Sequence, residues 1–194
     1  MQIQSGTLGD SAAREHRETA ISLRAAAALR AEHETLYIGY VQTYYAVIVR
    51  YVYSMVPAIQ QAEDLTQDAF LKAYLALAQS GPPENPRAWL FRIATNTCLD
   101  HIRRQRRFSF VALHDIANKL RGASPFRSVD DSGPLDRALA ALRPQERSIL
   151  LLFTEGGLKA PEVAEVLGIT PAAARKRRQR AREAFTQAYR EVVE

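Results

Sequence analysis

The sequence contains a single cysteine, Cys98, among its 194 residues. One thiol cannot form an internal disulfide framework, and it excludes zinc or iron–sulfur sites built from several cysteines. Residues 1–10 contain no basic stretch followed by an apolar one, so no secretory signal is predicted. The longest apolar stretch, Leu36–Val56, is interrupted by polar and charged residues and makes a poor membrane span. We therefore expect no membrane insertion and a cytoplasmic location, with which the single thiol is consistent.

Sequence signatures of common enzymes are also missing. The chain has no GxxxxGKS/T or GxGxxG phosphate-binding loop, no HExxH metalloprotease motif and no GxSxG nucleophile motif. Its four histidines are scattered at His16, His33, His101 and His114. Cys98 and His101 have the spacing of two metal ligands on one helix, but two ligands do not make a metal site. We expect a protein that is not an enzyme and that holds no cofactor or metal.

The composition is that of a soluble globular protein. Hydrophobic residues make up 47% of the chain and charged residues 24%. The 26 Lys and Arg residues outnumber the 21 Asp and Glu residues, which gives a net charge of +5 and a pI of about 9.6. This length accommodates one domain or two small ones. Because the excess charge is modest, its distribution along the chain matters more than its sum.

Apolar residues recur at helical spacing in most of the chain, and no strand pattern is convincing. From Leu36 to Met55 they follow steps of three and four, and Pro57 is predicted to end this helix. Tyr, Val and Ile are abundant in the same segment and favour a strand locally, but the long periodicity outweighs that preference. The alanine-rich stretch before Leu36 is also expected to be helical. Further helices are predicted near residues 62–78, 87–107, 135–142, 144–156, 161–168 and 171–191.

One segment divides the chain. Residues 108–134 lose the helical periodicity and collect Gly, Pro, Ser and Asp, which predicts a linker, with a short helix near residues 113–120 as an option. The predicted fold class is therefore all-α: two small helical domains joined by a flexible linker, the C-terminal domain containing a helix-turn-helix.

The clearest functional pattern lies in that C-terminal part. A short helix is followed by the turn Gly168-Ile169-Thr170 and by a longer helix that begins at Pro171, which is helix-turn-helix spacing. Residues 171–183 contain six Lys or Arg and one Glu, a local charge of +5. One face of the longer helix is predicted to enter a DNA major groove, where Arg pairs with guanine and Gln with adenine. That face carries Ala172, Arg175, Lys176, Gln179 and Arg180.

Two other clusters have a structural as well as a functional interpretation. After Asp100, the third predicted helix ends in basic residues. They either bind phosphate or only stabilise the negative end of the helix dipole. They are Arg103, Arg104, Arg106 and Arg107. In the second predicted helix, Asp64, Gln67 and Asp68 share one face, which is either a solvated surface or a contact surface. Its apolar stripe is predicted to consist of Phe70, Leu71, Tyr74, Leu75, Leu77 and Ala78.

In order and spacing, several segments resemble the bacterial extracytoplasmic function (ECF) sigma factors, which direct RNA polymerase to promoters. The segments are Ala62–Tyr74, Asn85–Asp100, Leu142–Leu152 and Ala160–Glu183. The resemblance extends from about Leu36 to Glu191 and leaves residues 1–30 as an extension without an assigned counterpart. It implies a polymerase-binding and minus-ten-recognition domain at 31–107, a linker at 108–134 and a minus-thirty-five-recognition domain at 135–194.

The resemblance also implies roles for particular residues. Asp64, Gln67 and Asp68 would dock on the β′ clamp helices of core RNA polymerase, whose β flap is a second implied contact. The minus-ten element would be read by Asn85, Arg87, Asn96, Asp100, Arg103 and Arg104. The minus-thirty-five element would be read by Arg175, Lys176, Gln179 and Arg180. The implied partners are core RNA polymerase, promoter DNA and an anti-sigma factor that covers the same surfaces.

Two positions depart from the family pattern. The helix before the turn begins with Lys159-Ala-Pro-Glu, where the family has an aromatic–acidic pair. Arg178 stands where the family has a large apolar residue that faces inwards. Either the aliphatic part of the Arg178 side chain packs against the domain while its guanidinium reaches solvent, or the helix is rotated.

A function of another class also fits part of the pattern. A self-contained helix-turn-helix repressor or activator would use its first block to sense a ligand or to dimerise. The tyrosine-rich first helix would then line a pocket, although core packing also explains it. Its tyrosines are Tyr37, Tyr40, Tyr44, Tyr45, Tyr51 and Tyr53.

Overall fold

The computed structural model describes the backbone of residues 7–56, 58–116 and 133–194, and the side chains of residues 20–56, 58–107 and 133–194. Every regular element in these ranges is an α-helix, which confirms the predicted all-α class. The strand alternative for the segment after Leu36 is wrong. The helices are α1 (Thr7–Met55), α2 (Ile59–Ser80), α3 (Pro86–Ile116), α4 (Pro134–Ala141), α5 (Pro144–Thr154), α6 (Ala160–Leu167) and α7 (Pro171–Val193).

Helix α1 joins the alanine-rich stretch and the periodic segment into one helix of 49 residues. Residues 20–32 are exposed, whereas Ile48, Tyr51, Val52 and Met55 near its end are buried. Among the α1 side chains that the structure describes, those of residues 20–32 are therefore free of the core, and those of the second half of the helix pack against it. The helix ends at Met55, and the predicted terminator Pro57 lies outside the described residues.

The buried face of α2 differs from the predicted stripe. Phe70 and Leu77 are buried as expected, but Leu71, Tyr74 and Leu75 are 56%, 41% and 49% exposed, and Ala78 is exposed as well. The prediction followed a local run of apolar residues, whereas packing against both α1 and α3 selects a helical row that begins earlier. The buried residues are Ala62, Leu65, Thr66, Ala69, Phe70, Ala73 and Leu77.

Helix α3 extends further than predicted. It continues to Ile116 instead of ending at Arg107, so the first residues of the predicted linker are helical. Residues 108–116 contain neither Gly nor Pro, and nothing in the local sequence stops the helix there. The remaining linker residues, 117–132, lie outside the described part of the chain.

Helices α4 to α7 form the C-terminal domain. Each of them has a proline in its first turn, where the missing N–H is not needed and the fixed φ suits a helix. Helix α7 packs against α4, α5 and α6. Its inward row consists of small residues, Ala174, Ala181 and Ala188, which let the other helices approach closely.

The two domains share one apolar core. Helices α1 and α3 of the N-terminal domain contact α5, and α3 also contacts α6. Tyr51 and Phe91 meet edge to face, with ring centroids 5.3 Å apart, and they belong to the same buried cluster as Ile149, Leu152 and Val163. Among the described helices, none has both the length and the apolar character of a bilayer span.

Cys98 is completely buried in α3. Burial raises the pKa of its thiol to about 12, although the Lys72 ammonium acts in the opposite direction. A thiol whose pKa is higher in the folded state than in the unfolded chain stabilises the fold in its protonated form. This contribution is complete below the unfolded pKa of about 8.5 and is lost as the pH rises towards the folded value.

We expect the free energy of unfolding of the natural chain to fall by about 2 kcal/mol relative to that of Cys98→Ala between pH 8 and pH 10. Urea unfolding followed by circular dichroism at both pH values measures this difference. The alanine variant is the control, because all other ionisable groups change in the same way in both proteins. Identical pH dependence in the two proteins would contradict burial of the thiol.

Candidate nucleic-acid interface

Helices α6 and α7 form the predicted helix-turn-helix. Gly168 ends α6 with a φ of 62°, in the left-handed region that favours glycine. Thr170 caps α7, since its Oγ1 accepts a hydrogen bond from the Ala173 N–H at 3.2 Å. Val163 and Ala174 are completely buried where the two helices meet. The turn residues and the small packing residues thus fix the direction in which α7 leaves the domain.

The predicted groove-facing residues lie on the outer side of α7. Arg175, Lys176, Gln179 and Arg180 are all exposed. Gln179 donates a hydrogen bond to the Glu183 carboxylate at 2.8 Å, which orients its amide along the helix. Among the described residues, the ion pairs are Arg50–Glu155, Lys72–Asp68 and Arg103–Asp100. The cations of α7 are therefore not neutralised by carboxylates within the described structure.

Arg178 is accommodated without any rotation of α7. Its side chain is exposed, and its guanidinium carbon lies 4.5 Å from the centre of the Phe153 ring. A guanidinium over an aromatic face gains from the quadrupole of the ring while it keeps its contact with water. The first alternative is therefore correct: the charge extends outwards, and the aromatic ring of α5 packs beneath it.

The capping of α6 explains how its unusual start is tolerated. Glu162 accepts a hydrogen bond from the Lys159 N–H at 2.8 Å through Oε2. This satisfies one of the backbone donors at the helix start. The acidic residue is thus used to cap the helix, and the Lys159 side chain is exposed at this edge.

Five of the six predicted minus-ten residues lie in α3, and four of them follow one another along its middle. Asn96 and Arg104 are exposed, and Asp100 pairs with Arg103 at 2.9 Å. Arg103 is further held by a hydrogen bond from its Nε to the Leu99 carbonyl at 3.3 Å. These residues follow the helical repeat, so they form one polar strip that an extended strand can track.

The other two minus-ten candidates contact the C-terminal domain. Asn85 caps α3, because its Oδ1 accepts from the Ala88 N–H at 3.1 Å, and its Nδ2 donates to Glu162 at 3.4 Å. Arg87 donates a hydrogen bond to the carbonyl of Gly156, in the turn after α5. The structure thus separates the six candidates into a surface strip along the middle of α3 and a pair at the start of α3 that contacts the C-terminal domain.

The carboxylate face of α2 has the predicted position. Asp64 and Gln67 are exposed, and Asp68 is half-buried beside Lys72, with 2.7 Å between the carboxylate and the ammonium. Lys72 also donates to Thr97 of α3 at 3.2 Å. The carboxylate face therefore lies on the outer surface, and the hydrogen bond from Lys72 to Thr97 connects it to α3.

The sequence interpretation missed an apolar groove beside this face. Its volume is about 450 Å³, and residues of α1 and α2 line it. Tyr37 and Tyr74 form one wall with ring centroids 5.1 Å apart, and Tyr45 and Phe70 form another at 5.5 Å. The apolar residues Leu71 and Tyr74 of α2 were the sign of this groove in the sequence. They were interpreted as part of the buried stripe, whereas they line an exposed groove. The lining residues are Tyr37, Val41, Tyr45, Gln67, Phe70, Leu71 and Tyr74.

Cys98 and His101 remain a poor pair of metal ligands. The thiol is buried and its raised pKa keeps it protonated, while His101 contacts Gln61, with 3.3 Å between Nε2 and Oε1. Burial, with a smaller contribution from Arg104, lowers the pKa of His101. Within the described residues, no group of three or more potential ligands is close enough together to hold a metal ion.

Comparison with known families accounts for both domains. The family described as Sigma-70 region 2 matches residues 40–108. The family described as Sigma-70, region 4 matches residues 132–185. The first match includes the carboxylate face of α2 and the polar strip of α3, and the second includes the helix-turn-helix.

Two relatives and one solved structure are similar over most of the chain. The probable RNA polymerase sigma factor RfaY of Xanthomonas campestris is 35% identical over 64% of this chain and 33% of its own length. The ECF RNA polymerase sigma factor SigE of Mycolicibacterium smegmatis is 30% identical over 70% of this chain and 54% of its own length. The chain thus spans about a third of the one relative and about half of the other.

The structural comparison concerns the fold. The sigma factor RpoE from Bartonella quintana, solved in complex with the anti-sigma factor NepR, superimposes with a TM-score of 0.59 and 21% identity. The match covers 77% of this chain and 95% of that one. Both family matches, the similarity to an ECF relative and the shared helical fold agree with the sequence resemblance. The chain belongs to the sigma-70 family, within its ECF group.

Proposed function

We propose that the protein is an ECF-type sigma factor that directs core RNA polymerase to specific promoters and assists DNA opening. The observation that carries this proposal is the presence of three distinct surfaces within the two matched regions. They are the carboxylate face of α2, the polar strip of α3 and the cationic face of α7. Such a protein would act in the cytoplasm, where polymerase and chromosome are, and would catalyse no reaction itself.

The α7 face would supply affinity for duplex DNA at the minus-thirty-five element. Arg175 and Arg180 can bond guanine and Gln179 can bond adenine, each good pair being worth about 1–3 kcal/mol of discrimination. The Lys and Arg residues would also release counterions from phosphates, so affinity falls steeply with salt. The outward position of these side chains and the absence of carboxylate partners in the described structure support this role.

The α3 strip would trap the melted minus-ten strand. Breaking DNA stacking costs about 1.4 kcal/mol per base-pair step. Because the sequence has no nucleotide-binding motif, the protein cannot provide this energy by hydrolysis. It can bind what thermal opening exposes, using Asn96 for an unstacked base and Arg103 and Arg104 for the backbone. Asn85, Arg87 and Asp100 would complete this surface.

The carboxylate face would hold the polymerase. Asp64, Gln67 and Asp68 would contact the β′ clamp helices, and the C-terminal domain would contact the β flap. With both DNA-binding domains held on one partner, each DNA contact raises the effective concentration of the other. We expect an anti-sigma factor to compete for these surfaces; the structurally similar RpoE was solved in complex with an anti-sigma factor.

The proposed functional limits are 31–107 for polymerase binding and minus-ten recognition and 135–194 for minus-thirty-five recognition, with 1–30 as an extension. The self-contained regulator is less well supported. Tyr51, one of the tyrosines that would line its pocket, is completely buried in the core, and both domains match sigma-70 families.

The two DNA surfaces should fail at different steps when they are mutated. We expect Arg175→Ala to weaken binding of holoenzyme to a duplex minus-thirty-five site by about five- to 150-fold, from the loss of about 1–3 kcal/mol. We expect Asn96→Ala to leave that binding intact and to reduce open-complex formation. Filter binding measures the first step and permanganate reactivity of unpaired thymines measures the second.

Arg190→Ala is a matched control, because Arg190 is an exposed arginine at the far end of the same helix. It should change neither step appreciably. If Arg175→Ala and Asn96→Ala fail at the same step, the division of labour between α7 and α3 is wrong.

Docking on polymerase should depend on the charge of the α2 face. We expect Asp64→Lys to weaken binding to core polymerase by tenfold or more, because it places a cation where the partner would face a carboxylate. Titration of a fluorescently labelled chain with core polymerase measures the affinity at several salt concentrations. Glu32→Lys is the control, since Glu32 is an exposed carboxylate on α1 outside this face. Equal losses in the two variants would show a general charge effect instead of a docking site.

A further inference from the structure

The cations of α7 extend beyond the face that is proposed to read bases. Successive residues of an α-helix are about 100° apart, so residues three or four positions apart lie on the same side. Arg175, Arg178 and Arg182 therefore form one row, and all three are exposed. Of these, only Arg175 belongs to the proposed base-reading residues. Base reading thus leaves two exposed cations on this side of the helix without a role.

Arg178 lies at the border between the base-reading face and the buried row of α7. It follows the buried Ala174 by four positions and precedes the buried Ala181 by three. A DNA major groove is about as wide as a helix with its side chains. The outer face of an inserted helix therefore meets the base edges, and its sides meet the sugar–phosphate backbones. This position places Arg178 beside a phosphate backbone and not over the bases.

The Phe153 ring of α5 restricts the positions that the Arg178 guanidinium can take. The guanidinium carbon lies 4.5 Å from the ring centre, and the ring itself is half-buried and packs against the apolar core. A free arginine side chain samples many rotamers, and ordering it on binding reduces affinity. A guanidinium that already rests on a ring has lost part of this freedom before DNA binds. The contact therefore pre-organises the cation.

The same contact leaves the hydrogen-bond donors of Arg178 available. An aromatic ring attracts a cation through its quadrupole and takes up none of the guanidinium N–H groups as a carboxylate would. The ion pairs among the described residues include neither Arg178 nor Arg182. Glu183, the acidic residue next to Arg182, accepts a hydrogen bond from Gln179. Cations without carboxylate partners, one of them held in place, suit the oxygens of a phosphate.

We propose that Arg178 binds a phosphate of the DNA backbone beside the major groove, and that Phe153 positions its guanidinium for this contact. The inference rests on the proposed function in one respect, since it requires that α7 bind duplex DNA. A phosphate contact carries no sequence information. Arg178 therefore adds affinity and fixes the register of α7, while the base-reading residues discriminate between sequences.

Salt dependence distinguishes a phosphate contact from a structural role. Each phosphate that a protein neutralises adds about 0.9 to the slope of log affinity against log salt concentration. Arg178→Ala should lower this slope by about 0.9, so its affinity deficit should shrink by about eightfold over a tenfold rise in salt. Arg178→Lys, which keeps the charge, should retain the natural slope. Anisotropy of a short labelled duplex of random sequence, titrated with the full chain, measures these affinities.

Arg190→Ala is the matched control, because Arg190 is an exposed arginine in the last turn of the same helix. It should keep the natural slope. If the natural chain has a steep slope and Arg178→Ala has the same one, the phosphate contact is wrong and the proposed function stands. If the natural chain binds duplex DNA neither alone nor in holoenzyme, the proposed function itself fails. A loss of affinity for core polymerase in Arg178→Ala, with an unchanged DNA slope, would assign the cation to a protein contact and overturn the proposal.

Sequence discrimination by holoenzyme is the second readout. Arg178→Ala should weaken binding to a duplex minus-thirty-five site and to a scrambled site by the same factor, because every duplex offers phosphates. Arg175→Ala, in contrast, should reduce the ratio of the two affinities. A reduced ratio in Arg178→Ala would make Arg178 a base reader and contradict the proposal.

The positioning role of Phe153 is tested by removing the ring and keeping the charge. We expect Phe153→Leu to weaken binding of the full chain to the random duplex by about two- to tenfold with the natural salt slope, because the cation must then be ordered on binding. Phe153→Tyr, which keeps an aromatic face, should bind like the natural chain. In the Arg178→Ala background, Phe153→Leu should have no further effect on binding. An equal loss in both backgrounds, or no loss in either, would overturn the positioning role of the ring.

Discussion

The packing of α5 against both domains determines which way the functional surfaces face. Ser148, Ile149 and Leu152 are buried in this short helix, which contacts α1 and α3 of the N-terminal domain as well as α6 and α7 of its own. An apolar helix surrounded in this way cannot shift without exposing part of the common core. The outer faces of α2 and α7 are therefore fixed by contacts made elsewhere. Their polar side chains need only to be exposed and correctly spaced.

Helix α7 concentrates like charges at a cost that its other contacts must offset. Arg and Lys residues three or four positions apart repel one another within a helix. The Thr170 cap, the alanines of the inward row and the Phe153 ring under Arg178 stabilise the helix in other ways. The repulsion is relieved when the helix meets a polyanion. The charge pattern is thus explained by a binding partner better than by the stability of the isolated domain.

Periodicity predicted most helices, because an apolar row at steps of three and four is a local property of the sequence. The end of α3 and the buried stripe of α2 were misjudged for different reasons. Residues 108–116 contain no helix breaker, so continuation to Ile116 was readable from composition. The α2 stripe, in contrast, depends on the angle at which α1 and α3 approach it. Local apolar density at Leu71, Tyr74 and Leu75 gives no information on that angle.

The candidate residues were accessible to sequence reasoning through their motifs, but their present engagement was not. Nothing local to Arg87 indicates that its guanidinium meets the carbonyl of Gly156, which lies beyond the linker in sequence. That contact exists because two domains of small size share one core. Because of this shared core, the two DNA-binding domains contact each other directly and are not connected by the linker alone. The cationic face of α7 and the polar strip of α3 nevertheless stay exposed, so the free chain keeps a general affinity for DNA phosphates. Promoter selectivity should therefore come from the assembly with polymerase, where both DNA contacts are held on one partner and each raises the effective concentration of the other.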